Sequence, residues 1–69
     1  MSVTLGNGLR QERERMGLTQ AELAERVGVS RKTVNTIENR VFMPSTLLAL
    51  KFARTVGKTV EALFWIEDA

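Results

Sequence analysis

The sequence predicts an all-α domain of five short helices, the second and third forming a helix-turn-helix, with a small two-stranded antiparallel ribbon joining the chain's two ends. Three observations predict it. Within residues 20–39 the apolar side chains recur at helical spacing: Leu23 and Val27 lie one turn apart, and Val34 and Ile37 repeat at i, i+3. Gly28 stands between these runs, where a chain leaves one helix in the left-handed conformation and turns sharply into the next. Thr19, Ser30, Ser45 and Thr59 each precede a helical run, as N-caps do.

The elements follow in order. Leu9, Arg13 and Met16 share a face, predicting a first helix over about Asn7 to Met16 that Gly17 ends. Thr19 with Glu22 three residues later is a capping box, opening a second helix over Gln20 to Val27. Ala24 is small where the next helix must cross closely. Ser30 opens the third helix, about Arg31 to Asn39. Pro44 forbids continuous helix through the preceding loop, because the residue before proline is pushed out of the α region. Ser45 opens a fourth helix over Thr46 to Val56, ended by Gly57, and Thr59 a short fifth over Val60 to Leu63. At the ends, Ser2-Val3-Thr4-Leu5 and Phe64-Trp65-Ile66 are rich in β-branched and aromatic residues and are expected to pair; the alternative is two frayed ends.

Composition narrows the function. The 69 residues are read as one domain, 1–69, with no cysteine and no histidine. That removes disulfides, thiolate–metal sites, the commonest general base and the commonest neutral metal ligand. Tyrosine and a phosphate-cradling glycine loop are also absent, and Glu12 and Glu14 fall on different faces of the first helix. The expectation is a protein that is not an enzyme, with no metal or other cofactor. No apolar run reaches the roughly 18 residues of a membrane span, and no basic-then-apolar leader is seen, so a cytoplasmic protein is expected.

Charge is distributed unevenly. Residues 1–60 carry all ten Lys and Arg against five Glu, 10 − 5 = +5, while residues 61–69 carry three acids, −3. A basic body with an acidic tail suits a nucleic-acid partner. The fourth helix has apolar residues to spare: Leu48, Ala49, Phe52, Ala53 and Val56 fill an inward stripe, leaving Leu47 and Leu50 on another face. With Leu63, Phe64, Trp65 and Ile66 these make a surplus over about 47–66 that is expected to form a homodimer interface, unless the ribbon covers it within one subunit.

LTQAELAERVGVSRKTVNTIEN and the later PSTLLALKFARTVGKTVEALF resemble the short phage-repressor (Cro/repressor-like) helix-turn-helix transcriptional regulators, over roughly Leu9 to Phe64. The resemblance implies a homodimer whose third helices enter successive major grooves of double-stranded DNA at a roughly palindromic operator. It places Arg31, Lys32, Thr33, Asn35 and Thr36 toward the bases, and Gln20, Ser30 and Asn39 toward phosphate; Arg10, near the start of the first helix, is a further phosphate candidate. Side-chain chemistry agrees: Val34 and Ile37 face inward, so Arg31, Lys32 and Asn35 face outward. Arg or Lys pairs with guanine O6 and N7, and Asn with adenine N6 and N7. Lys32 is open between base and phosphate. The resemblance also pairs Glu38 with Arg13 as an architectural ion pair, and Arg13, lying inward between Leu9 and Met16, needs such an anion.

The functional expectation is a sequence-specific transcriptional regulator, most simply a repressor, with no small-molecule ligand. The alternative is an antitoxin-like or co-activator-like module gripping a different protein. Two features depart from the family pattern. Arg40 stands where many relatives carry Gly or Asn, so a positive φ there is strained. The loop Val41-Phe42-Met43 is unusually apolar, and Phe42 either plugs the gap between helices three and four or meets a second subunit.

Overall fold

A computed structural model describes residues 3–68. The order is β1 (Val3–Asn7), α1 (Leu9–Arg15), α2 (Gln20–Val27), α3 (Arg31–Glu38), α4 (Thr46–Val56), α5 (Val60–Leu63) and β2 (Phe64–Asp68). The five helices and the antiparallel ribbon are those the sequence predicts. Ser2, expected in the first strand, lies outside the described residues.

Capping chemistry sets the helix starts. The Thr19 hydroxyl accepts from Glu22 N at 3.1 Å, and Glu22 Oε1 accepts from Thr19 N at 2.8 Å. Ser30, Ser45 and Thr59 each accept from a backbone N–H three residues on. Gly28 ends α2 at φ 88, and a Cβ there would meet nothing within 4 Å, so its requirement is purely conformational. Replacing Gly28 with alanine is expected to cost about 1–2 kcal/mol through left-handed strain. Thermal denaturation should register this as a drop of roughly 4–8 °C per kcal/mol. Asparagine, which tolerates this conformation, should cost less.

Boundaries of α1, α3 and the ribbon differ from expectation, those of the ribbon and of the start of α1 through contacts distant in sequence. α1 begins at Leu9 rather than Asn7, because Asn7 is the last residue of β1, paired with Phe64. The Asn7 side chain instead accepts from Leu9 N at 3.2 Å and donates to the Ile37 carbonyl at 3.1 Å, tying β1 to α1 and to the end of α3. α3 stops at Glu38, with Asn39 capping it. The ribbon is longer than predicted and runs from Val3↔Asp68 to Asn7↔Phe64.

Gly6 is required by close approach. It pairs with Trp65, whose indole lies across it; a Cβ there would collide with Trp65 Nε1 and sit 2.7 Å from the Glu67 carboxyl carbon.

The core is built from all five helices and the ribbon: Leu9 from α1, Leu23, Ala24 and Val27 from α2, Val34 and Ile37 from α3, Phe52, Ala53 and Val56 from α4, then Leu63 and Phe64. The last two correct an expectation. The sequence places Leu63 and Phe64 in a dimer interface, yet they are 1% and 5% exposed. They stand at the junction of α5 and β2 and join the core cluster, so their apolar surface is satisfied within one subunit. Leu47, Leu50, Trp65 and Ile66 remain exposed.

Arg40 adopts φ 60. Its N–H donates to the Ile37 carbonyl at 3.0 Å, and Val41 N donates to the Thr36 carbonyl at 2.8 Å. This is the Schellman closure of α3, with arginine where glycine usually stands. An ion pair from Arg40 Nη1 to Glu67 of β2 accompanies the unfavourable dihedral. Phe42 does not plug the gap between α3 and α4: it is 50% exposed.

Candidate nucleic-acid interface

α3 divides its residues cleanly. Val34 and Ile37 are fully buried against the core, and the faces between them carry the polar residues outward. Arg31, Lys32 and Asn35 are exposed, while Thr33 and Thr36 are half-buried. Among the described residues, the Arg31 and Lys32 side chains make no hydrogen bond or ion pair, and the first turn of α3 contains no acid. Two free cations therefore sit at the helix end where the peptide dipoles favour negative charge. That arrangement is unfavourable alone and becomes favourable when an anion arrives.

The remaining predicted contacts are partly committed elsewhere. The Thr36 hydroxyl lies within donating distance of the Lys32 and Thr33 carbonyls (3.0 and 3.1 Å), so it points back along its own helix. Ser30 Oγ accepts from Thr33 N at 3.1 Å and shares a hydrogen bond with Thr33 Oγ1 at 3.0 Å. Ser30 thus works first as a cap.

Behind this face lies a continuous polar network centred on Glu38, whose side chain has no solvent exposure. Arg13, 12% exposed, holds it bidentately: Nε to Oε2 at 2.7 Å and Nη2 to Oε1 at 3.1 Å. The third Arg13 arm donates to the Leu18 carbonyl at 2.9 Å, so one guanidinium fastens α1 to α3 and to the loop before α2. Arg10 Nε reaches Glu38 Oε1 at 3.4 Å, and Arg10 Nη2 reaches Asn39 Oδ1 at 3.3 Å. Gln20 Nε2 donates to Glu38 Oε1 at 3.1 Å and to Asn35 Oδ1 at 3.2 Å, while Asn39 Nδ2 donates to Asn35 Oδ1 at 3.1 Å.

Burial by itself would raise the Glu38 carboxyl. The hydrogen bonds from Arg13, Gln20 and Arg10 and the nearby Arg13 charge outweigh it and leave the group below its ordinary value. Arg13 is shifted upward by the same bond, against its own burial. Glu38 is therefore an ionised acceptor, and the network has a fixed negative end.

Four of the predicted DNA contacts, Gln20, Asn35, Asn39 and Arg10, are brought into one network with the predicted Arg13–Glu38 pair. The family resemblance points Gln20 toward phosphate, but both of its side-chain donors are spent on Glu38 and Asn35; its backbone N–H at the start of α2 is what remains for an anion. Val41 and Phe42 were not assigned to DNA. Their backbone N–H groups close on the Thr36 carbonyl, and with Lys32, Thr33 and Thr36 they line a shallow apolar cleft beside the outward face of α3. The signal for it was the unusually apolar loop.

Similarity to known proteins follows the same outline. A helix-turn-helix family model matches residues 9–63. The chain is 42% identical over 62 residues to the Bacillus subtilis HTH-type transcriptional regulator YgzD, covering 90% of this chain and 94% of the relative. It is 43% identical over 61 residues to an HTH-type transcriptional regulator of Methanothermobacter thermautotrophicus, covering 87% and 88%. Among solved structures, the biofilm master regulator SinR in complex with DNA superposes with a TM-score of 0.72 at 28% identity, over 77% of this chain and 86% of that one. The hypothetical transcription factor NHTF from Neisseria superposes with a TM-score of 0.74 at 26% identity, over 78% of this chain and 62% of that one.

Proposed function

The chain belongs to the helix-turn-helix family of transcriptional regulators, and from that premise we propose that it binds double-stranded DNA sequence-specifically as a homodimer, most simply as a cytoplasmic repressor that occludes a promoter. The observation that carries this reading is the start of α3: two exposed cations that, among the described residues, have no partner, no acid in the first turn, and Asn35 one turn further on the same outward face. In this reading α3 lies in the major groove, Arg31 reads a base, Lys32 reads a base or holds phosphate, and Asn35 meets a base. Thr33 and Thr36 supply apolar contact through their methyl groups, and Arg10, Asn39 and the N-termini of α2 and α3, at Gln20 and Ser30, approach phosphate. Exposed Leu47 and Leu50 of α4, with Trp65 and Ile66 of β2, form the face that meets a second copy. Two copies then present their α3 helices to half-sites of a roughly palindromic operator.

Titrating duplexes selected from random DNA across a salt series tests the reading. Each phosphate neutralised should contribute about −0.9 to the slope of log affinity against log salt. A selected site should bind at least ~10³-fold more tightly than random duplex. Equal, weak binding to every duplex would refute specific regulation, and sedimentation as a monomer in its presence would refute the homodimer.

A further inference from the structure

An amide side chain has two ends of nearly equal shape, and only its partners decide which one faces out. Three amides, Gln20, Asn35 and Asn39, stand in line here between two groups that leave no choice. Arg10 can only donate. Glu38, gripped bidentately by Arg13, can only accept. Working inward from Glu38, Gln20 must present its NH2, and the second proton of that NH2 falls on Asn35 Oδ1 at 3.2 Å. Working inward from Arg10, Asn39 must present its oxygen, so its NH2 also falls on Asn35 Oδ1, at 3.1 Å. Both directions meet at Asn35 and agree. Its oxygen is held by two donors, and its NH2 has no partner among the described residues.

We propose that this charge-terminated chain of hydrogen bonds fixes Asn35 with its Nδ2 outward, making it a donor-only base reader that selects guanine through O6 and N7. The inference rests on the reading that α3 occupies the major groove. It departs from the adenine contact expected from residue type alone, because pairing with adenine N6 and N7 requires the amide to offer an acceptor beside a donor. Adenine presents one acceptor next to a donor that Nδ2 cannot satisfy. Cytosine presents a donor against a donor and is rejected. Discrimination against cytosine at the facing position should be roughly 5- to 150-fold per half-site. Gln20 and Asn39 touch no base in this scheme; they are positioning residues.

The test has two arms. In free wild-type protein, side-chain amide hydrogen exchange by NMR should show both Gln20 Nε2 protons protected and the Asn35 Nδ2 protons exchanging as freely as an unbonded amide; protected Asn35 protons would overturn the proposal. In selection from random DNA, wild type should enrich guanine at one position of each half-site. Asn35→Asp keeps an acceptor toward Gln20 and Asn39 but turns an acceptor outward, and should switch that position to cytosine. Gln20→Ala removes one of the two donors fixing the amide and should admit adenine there. Wild-type enrichment of adenine, or an N35D motif identical to wild type, would overturn the proposal while leaving sequence-specific binding intact. A wild type that enriches no motif would refute the DNA-binding reading and the proposal with it.

Discussion

Replacing Glu38 with alanine is expected to remove about 3–5 kcal/mol of stability, because the Arg13 guanidinium would be left largely buried without its anion. A domain of this size has a total of roughly 3–10 kcal/mol, so the variant should be largely unfolded near the growth temperature of a mesophile. Urea denaturation followed by circular dichroism measures it. Glu12→Ala is the control: its pair with Arg15 is exposed, and its loss should cost ~0.5 kcal/mol or less. The effect has a pH signature whose sign is fixed. Glu38 is held below its ordinary 4.5 in the folded state, so folding favours the ionised form. That contribution is fully present above about pH 4.5 and fades as pH falls through the lower, folded-state value. The stability gap between wild type and Glu38→Gln should therefore be constant near neutrality and narrow in acid. A gap that widens in acid would refute the assignment of Glu38 as the ionised centre of the network.

Replacing Arg31 with alanine is expected to weaken operator binding by about 2–6 kcal/mol, since a homodimer loses a base contact of about 1–3 kcal/mol in each half-site. That corresponds to roughly 30-fold to 10⁴-fold in Kd. Stability should change by no more than about 0.5 kcal/mol, because the side chain is exposed and has no partner among the described residues. Fluorescence anisotropy on the selected operator and on a random duplex at one salt concentration separates the outcomes. A base reader loses affinity for the operator far more than for the random duplex. If Lys32 serves phosphate, Lys32→Ala should weaken both alike and reduce the salt slope by about two, one contact of roughly 0.9 from each subunit. Equal losses on both duplexes for Arg31→Ala would reassign Arg31 to phosphate.

Local chemistry made much of the fold legible. α2, α4 and α5 have the bounds their caps and stop residues announce, because Thr19, Ser45, Thr59, Gly28 and Gly57 act on neighbours three or four residues away. The outward stripe of α3 was readable for the same reason: Val34 and Ile37 fix its orientation. What escaped depends on residues far apart in sequence. Asn7 looks like the start of α1 until Phe64 and Ile37 are brought beside it. Leu63 and Phe64 read as surplus because composition counts apolar residues without showing which of them the α5–β2 junction turns into the core. The orientation of the Asn35 amide depends on α1, α2 and α3 together, and no spacing rule encodes it.

The ribbon has a kinetic consequence for the reading helix. Pairing Val3 with Asp68 closes a loop of nearly the whole described chain. A two-stranded ribbon is marginal on its own, so it is held mainly at its inner end, where Phe64 is buried. Opening therefore starts at the outer pairs and proceeds inward, at a small fraction of the free energy of global unfolding. The Arg40–Glu67 tether lies near the outer end and lets go early; the Asn7–Ile37 bond lies at the inner end and lets go late. The last turn of α3 stays held when the ribbon opens, by the Asn7–Ile37 bond and by Glu38 on Arg13, while the loop from Arg40 onward loses its tether first.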